Sequence, residues 1–532
     1  MMRPFLHKIK TARFSQFETV FALLTIIFLT VLLTYIRVNS GVGFAGDTGQ
    51  FYMILENIHA GKGTLNQILP SENEYFFRQF LLSQDATKLC KMAWESPHFE
   101  AADYDHFKFH LYSIYYPASL CLYFFSTPYV VNGLNIFAFL LFLFIAYKIS
   151  QKSEIPIFIS IFTVIVISLH PAWSWSIMGQ PYPDRLFLPL GLLLCYYTDD
   201  RGKLLNAMLA VLVLSALIVE KVAVYTGVFL IAYSILHYSN YRDKRAIIWR
   251  VFAGISALIF FYLVTSFFLV NPYYSGSNIP RTPAALISIL SDERFFNGIK
   301  SLLWVNAPLL LPALILKPRL FLIAFVMVIP NIFGTVGGAE KTGFLTHYHT
   351  LYFPFVVYAF IKGTGEFYRR ISPIKAICIF GSYIFLTASF YLLLGFDDKQ
   401  NIKLTRSPTA NFYATSFYNM SKNMTSYKNI TNLVESNMTL NAKISTIEAG
   451  WPYLYKFQSL SIYPFDFEKV DFLFVGYEKV ANQFYYYGYN GYLGSRHMRI
   501  VNDCLNSRIV RAGYDVDNPI ILSLSLAILK KK

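Results

Sequence analysis

Charged residues are scarce in this chain of 532 residues. Asp, Glu, Lys and Arg together make up 14% of it, whereas hydrophobic residues make up 55%. A soluble globular domain carries roughly a quarter charged residues. The composition therefore excludes an ordinary soluble protein and predicts an integral membrane protein. The formal net charge is +15, and its placement matters because Lys and Arg on short loops determine topology.

Cysteine is also scarce, and several common motifs are missing. The five cysteines contain no CxxC pair, which argues against metal or haem ligation by cysteine. No HExxH pattern is present, so zinc-dependent catalysis has little support. The first apolar run, residues 17–36, is not followed by a small-residue cleavage site. We therefore expect it to act as a start-transfer anchor.

The basic residues are concentrated on alternate loops between the apolar runs. Residues 111–126 are apolar but short and contain Pro117. If this segment does not cross the membrane, five short basic loops all face the cytoplasm, as the positive-inside rule requires. We therefore predict a re-entrant or interfacial segment here, a cytoplasmic N-terminus and eleven spans. The predicted spans are residues 17–36, 130–147, 155–170, 186–197, 204–219, 222–236, 251–270, 302–316, 320–336, 345–361 and 376–396.

The composition becomes polar after the last predicted span. Residues 397–532 are rich in Asn and Tyr and contain short β-like runs bounded by turn residues, at 442–447, 460–463 and 472–476. We predict an α-helical polytopic domain at 1–396, with interfacial helices in an outer first loop at 37–127. A small extracytoplasmic α/β domain is predicted at 397–532, with a helical turn at 451–456.

Asp47 follows the first span and is flanked by glycines. A carboxylate at a membrane surface is costly unless it is solvated or used. An apolar face with helical spacing follows it, formed by Phe51, Ile54, Leu55 and Ile58. One interpretation is that Asp47 only caps this helix. The other is that its carboxylate has a functional role.

The predicted topology places further polar residues at the outer ends of spans or on outer loops. Any one of them could be a flanking or snorkelling side chain. Together they gather acidic, basic and imidazole groups at one membrane face, as a binding site for a phosphate or a sugar would require. The candidates are Arg185, Lys221, Glu220, Lys341, His106, His110, His347 and His349.

Asp103 and Asp105 have a DxD spacing. Two carboxylates can offer oxygen ligands to Mg²⁺ or Mn²⁺ beside a phosphate. The same spacing is common by chance. The sequence thus leaves open whether these residues hold a divalent cation.

The order of local segments resembles the GT-C superfamily of polytopic glycosyltransferases, which use polyprenyl-phosphate sugars. More closely, it resembles a prokaryotic family of multi-pass membrane proteins placed near that superfamily. The segments are FAGDTGQFYMILENIHAGKG (44–63), DHFKFHLYSIYYP (105–117), LIVEKVAVYTGVFL (217–230), THYHTLYFPFVVYAFIKG (346–363) and ISTIEAGWPYLYKFQSLSIYP (444–464). That family usually shows Asp-Leu-Gly where this chain has Asp-Thr-Gly.

The resemblance implies roles for particular residues. Asp47 would be the general base or a metal-linked carboxylate, and Lys221, Arg185 and Lys341 would hold the donor phosphate. The predicted function is sugar transfer from a polyprenyl-phosphate donor to an extracytoplasmic acceptor. The predicted location is the bacterial inner membrane, where the partners are the sugar donor and membrane lipid. No nucleic-acid partner is predicted. The alternatives are a flippase for lipid-linked glycans and a non-catalytic protein of envelope assembly.

Overall fold

The structure is a computed structural model of the chain. It describes residues 16–41, 47–66, 104–108, 110–153, 155–170, 181–199, 205–238, 244–269, 283–291, 293–333, 349–396, 402–404, 424–457, 459–463, 469–480, 483–487, 503–504, 506–523 and 526–532.

The described chain is mostly helical. In chain order the helices are α1 (Gln16–Ser40), α2 (Asp47–His59), α3 (Tyr115–Ser119), α4 (Thr127–Lys152), α5 (Ile157–Ser168), α6 (Phe187–Asp199), α7 (Leu205–Ala216), α8 (Lys221–Leu236), α9 (Lys244–Leu263), α10 (Pro283–Leu290), α11 (Glu293–Leu316), α12 (Pro318–Val328), α13 (Pro330–Phe333), α14 (His349–Arg369), α15 (Pro373–Leu393), α16 (Ser426–Asn437) and α17 (Trp451–Leu454).

The chain divides into two compact units. The first, unit 1, comprises Met1–Tyr35, His110–Ile114 and Asn132–Asn419. The second, unit 2, comprises Ile36–Phe109, Tyr115–Val131 and Met420–Lys532. The domain boundary expected at residue 397 stays a prediction, because residues 397–401 and 405–423 lie outside the described part of the chain.

Each of the eleven predicted spans overlaps at least one helix; the span at 320–336 overlaps both α12 and α13, and the span at 376–396 ends in an extended segment, residues 394–396. Four helical stretches of the described chain are long and apolar enough to cross a membrane, and five more apolar helices are shorter. On α1, the exposed fractions of Phe21, Phe28 and Val31 are 64%, 64% and 61%. So large an exposed apolar surface suits lipid rather than water. The chain is an integral membrane protein, while the number of crossings and their direction stay predictions.

The segment predicted not to cross contains only a short helical stretch. It forms α3 and a following 3₁₀ helix, Leu120–Tyr123. Together these turns extend roughly 15 Å, at 1.5 Å per α-helical and 2.0 Å per 3₁₀ residue. A bilayer core is about 30 Å thick. The prediction of a non-crossing helix at residues 111–126 agrees with this geometry.

Close helix packing in unit 1 depends on glycine. A Cβ atom at Gly227 on α8 would lie 2.8 Å from the carbonyl oxygen of Gly254 on α9, and one at Gly254 would lie 2.9 Å from the Gly227 oxygen. Such mutual approach is typical of small-residue interfaces between membrane helices. The apolar run at 204–236 was expected to break at Glu220-Lys221, and α7 and α8 are separated there.

Unit 2 contains a mixed sheet of six strands. In chain order, the strands of the described residues are β1 (Leu65–Asn66), β2 (Tyr104–Asp105), β3 (Leu394–Phe396), β4 (Ile402–Leu404), β5 (Lys443–Thr446), β6 (Ser459–Ile462), β7 (Phe472–Val480), β8 (Gln483–Tyr487), β9 (Ile520–Ile521) and β10 (Leu526–Lys530). β1 pairs only with β2 and β3 only with β4, and the remaining six strands form the sheet of unit 2. The sheet order is β6-β5-β7-β10-β9, and β8 also pairs with β7. β5 is parallel to β6 and β7, whereas β7 is antiparallel to β10. The three predicted strands and the helical turn at 451–456 are confirmed.

Helix α2 also belongs to unit 2, where it packs against α17. A Cβ atom at Gly49 would lie 2.3 Å from the Cβ atom of Trp451. One turn further along, the ring of Tyr52 meets that of Tyr455 edge to face, with 5.3 Å between the centroids. The position of α2, which begins at Asp47, is therefore fixed by the segment that follows β5.

Candidate functional site

Glu220 anchors a buried polar cluster in unit 1. Its side chain is fully buried at the start of α8. One carboxylate oxygen lies 2.7 Å from Nδ1 of His110, and the other accepts a 2.9 Å hydrogen bond from the backbone N–H of Leu111. The two predicted site residues Glu220 and His110 are thus in direct contact although 110 positions separate them in the sequence.

Asp184 and Arg185 are buried beside this pair. They lie in a 3₁₀ helix, Pro183–Leu186, directly before α6, and their exposed fractions are 0% and 1%. Neither carboxylate oxygen of Asp184 has a hydrogen-bond partner among the described residues. Burial raises the pKa of the Asp184 carboxyl and neighbouring Glu220 adds to the rise, while Lys221 and His110 oppose it.

The unpartnered carboxyl is the costly element of this cluster. A buried polar atom without a hydrogen bond costs about 1–3 kcal/mol, and more if it is charged. Natural proteins retain such groups where a ligand or a proton uses them. Arg185 and the half-buried Lys221 supply positive charge on the same elements. The cluster can therefore offer cations to a phosphate and a carboxyl to a hydroxyl group.

Asp184 is not among the residues that the sequence predicts for the site. Its signal is the pair Asp184-Arg185, set between Pro183 and a strongly apolar helix. An acidic and a basic residue beside an apolar run are expected to flank the membrane. Burial of both side chains is a tertiary property that this local pattern does not contain.

Asp47 is the first residue of α2 in unit 2. Its side chain is half-buried, and one carboxylate oxygen accepts a 3.2 Å hydrogen bond from Nε2 of Gln50. This bond joins two side chains of the first turn, whereas a helix cap accepts its bond from a backbone N–H of that turn. The capping interpretation and the functional role of Asp47 both stay predictions.

Asp105 and His106 have structural contacts in unit 2. One Asp105 carboxylate oxygen accepts hydrogen bonds from the Thr64 hydroxyl and, at 3.0 Å, from the backbone N–H of Phe107. The backbone N–H of His106 donates to the Thr64 carbonyl at 2.9 Å, and the His106 ring is buried. These bonds fix the turn after β2. In the described part of the chain no three His, Cys, Asp or Glu side chains could hold a metal ion together.

His349 belongs to a second buried polar group in unit 1. Its Nδ1 atom lies 2.5 Å from the hydroxyl of Tyr352, which also accepts a 2.9 Å hydrogen bond from Asn306. The ring of His170, fully buried, lies 6.1 Å from that of His349. The sequence predicted His349 but missed His170 and Asn306. Each lies in an apolar run, where a single polar residue is an ordinary occurrence.

Three predicted site residues lie outside the described residues. They are Asp103, Lys341 and His347. Their predicted roles in holding a cation, a phosphate or a sugar therefore stay predictions.

The fold of this chain is similar to the crystal structure of ArnT from Cupriavidus metallidurans bound to undecaprenyl phosphate, with 13% sequence identity and a TM-score of 0.43. The similarity covers 82% of this chain and 85% of that chain. No protein-family model matches the sequence, and a search of curated proteins finds no match. At this identity and TM-score the likeness assigns no role to any residue.

Proposed function

We propose that the protein is an inverting membrane glycosyltransferase. It takes a sugar from a polyprenyl-phosphate donor in the bilayer and transfers it to an extracytoplasmic acceptor. The bacterial inner membrane is the proposed location, with the buried cluster of unit 1 at the outer face. The proposal rests on the sequence resemblance and on the residues of that cluster.

The observation that carries the proposal is the unpartnered Asp184 carboxyl, buried beside Arg185 and near Lys221. A cluster that served only for stability would pair its buried charges fully, because an uncompensated one is expensive. A phosphorylated sugar suits both kinds of group in the cluster. Its phosphate accepts hydrogen bonds from cations, and its hydroxyl groups donate to a carboxylate.

The proposed reaction is a direct displacement at the anomeric carbon. The acceptor oxygen forms a bond to that carbon while the carbon–oxygen bond to the donor phosphate breaks. The phosphate leaves with the bonding electron pair, and Arg185 and Lys221 stabilise its charge. The resemblance gives the acceptor proton to Asp47, and a positioned general base contributes roughly 10²–10⁴-fold. A divalent cation held by Asp103 and Asp105 is a separate proposal, and no step here depends on it.

The test is Asp47→Asn in full-length protein, expressed in a deletion strain. Asn caps a helix about as well as Asp, and its side-chain oxygen can keep the bond from Gln50. If Asp47 is the base, transfer falls by about 10²–10⁴-fold while expression and thermal stability stay unchanged. The measurement compares glycan and lipid extracts of the deletion strain, the complemented strain and the variant.

Asp105→Asn is the matched control. It removes one carboxylate from the same unit, at a position that accepts hydrogen bonds from the Thr64 hydroxyl and the backbone N–H of Phe107. We expect it to retain transfer. Asp47→Asn protein that restores the glycan at the wild-type rate would remove Asp47 from the mechanism and leave only its capping role. Loss of activity in Asp105→Asn alone would instead favour the metal-binding interpretation.

A further inference from the structure

A cavity of about 600 Å³ lies in unit 1 at the ends of several helices. Lys152 ends α4, Asp199 ends α6 and His237 follows α8. The junction between α11 and α12 and the second half of α14 complete the lining. These helix ends are the ones that the basic loops predict to face the cytoplasm, opposite the proposed sugar-transfer site.

The cavity carries a net positive charge. Its described lining contains two carboxylates, Asp199 and Glu366, and five cationic side chains, which are Lys152, Lys317, Arg319, Lys362 and Arg369. Both carboxylates are engaged. Asp199 lies 2.9 Å from Nζ of Lys362 and accepts hydrogen bonds from two tyrosine hydroxyls. Glu366 lies 3.0 Å from Nζ of Lys317.

The cations exceed the carboxylates by three in a concave space of ligand size. Small-molecule sites in proteins typically occupy about 300–1,000 Å³. Basic pockets between membrane helices on the cytoplasmic side suit the phosphate of an anionic lipid head group. The two ends of α11 and α12 that meet here also expose apolar side chains nearby: Ile315 is 67% exposed and Leu322 is 43% exposed.

We propose that this cavity binds the phosphate group of an anionic ligand, separately from sugar transfer. Its two possible sources are a phospholipid head group and a soluble phosphate. The adjacent exposed apolar residues favour the lipid, because acyl chains can cover them while the head group meets the cations. Lys152 and Arg369 line the cavity from α4 and α14, and Arg369 donates a 3.5 Å hydrogen bond to the carbonyl of Ser153 beside Lys152.

The experiment uses the full-length chain, purified in neutral detergent and washed free of lipid. Native mass spectrometry measures retention of phosphatidylglycerol against phosphatidylcholine, and calorimetric titration measures binding of inorganic phosphate. The variant is Lys152→Gln with Arg369→Gln. Each cation near a lipid phosphate contributes about fivefold in affinity, so the pair should weaken binding roughly thirtyfold.

The matched control is Lys148→Gln with Lys375→Gln. It removes the same charge, from α4 and from α15, at residues that do not line the cavity. We expect this pair to change affinity by less than about threefold, because exposed charges away from a site act weakly.

The two ligands distinguish the source. Phosphatidylglycerol retention that only the cavity pair weakens identifies a lipid site, and inorganic phosphate binding with the same dependence identifies a soluble ligand. The proposal would be overturned if the cavity variant and the control variant lost the same affinity, or if the wild-type protein bound neither ligand. If the double variant Lys152→Gln with Arg369→Gln is not monodisperse, the single variant Arg319→Gln is used in its place, and we expect it to lose about fivefold in affinity. None of these measurements depends on sugar transfer.

Discussion

Gly49→Ala should destabilise unit 2 strongly, because α2 and α17 touch through this glycine. The new Cβ atom would lie 2.3 Å from Cβ of Trp451, 2.5 Å from its carbonyl carbon and 2.8 Å from its carbonyl oxygen. Two of these atoms are backbone, and Trp451 is buried. Relief of the overlap therefore requires one whole element to move away from the other.

The magnitude follows from two terms. Overpacking a close contact costs about 1–3 kcal/mol. Displacement of α2 also weakens the edge-to-face contact between Tyr52 and Tyr455, a type of pair that contributes about 0.5–1.5 kcal/mol. We expect a total loss of roughly 2–4 kcal/mol. Since Asp47 begins the displaced helix, sugar transfer should fall as well, even at temperatures where the variant stays folded.

The assay is thermal unfolding of the purified variant in detergent, followed by size-exclusion chromatography. Gly381→Ala on α15 is the steric control, because a Cβ atom there meets nothing within 4 Å. It should be neutral or slightly stabilising, since Ala favours helix over Gly by about 1 kcal/mol. If the free energies of unfolding of Gly49→Ala and this control differ by less than about 0.5 kcal/mol, the close packing of α2 on α17 is wrong.

Two further outcomes are expected. Gly227→Ala and Gly254→Ala should each lower the free energy of unfolding by about 1–3 kcal/mol. The double variant should lose less than the sum of the two, because the first substitution already separates α8 and α9. Full additivity in thermal unfolding would contradict that contact. Since the pKa of Asp184 is raised in the folded state, the folded protein holds this proton more tightly, and stability declines as the pH rises above the ordinary value towards the raised one. Asp184→Asn should remove that part of the decline and be no less stable than wild type at neutral pH, yet lose transfer activity; an unchanged pH profile with full activity would refute the role given to Asp184.

Local sequence patterns determined most of the secondary structure. Apolar runs of membrane length became helices because a chain in lipid must satisfy its backbone hydrogen bonds internally. The break at Glu220-Lys221 was visible because an unbroken helix over residues 204–236 would be about 50 Å long, more than a bilayer accommodates. The strands at β5, β6 and β7 were visible because β-branched and aromatic runs were bounded by turn residues.

Proximity of chemical groups was determined by the tertiary structure alone. His110 and Glu220 meet across 110 positions of the sequence, and periodicity carries no information on such pairs. Asp184 appeared to be a flanking residue until its burial and unpartnered oxygens were known. By contrast, the sequence alone indicated Asp47 as a candidate site residue and the positive charge of the basic loops. The packing of Gly49 on Trp451 and the cavity among five cations required the fold, because each brings together residues distant along the chain.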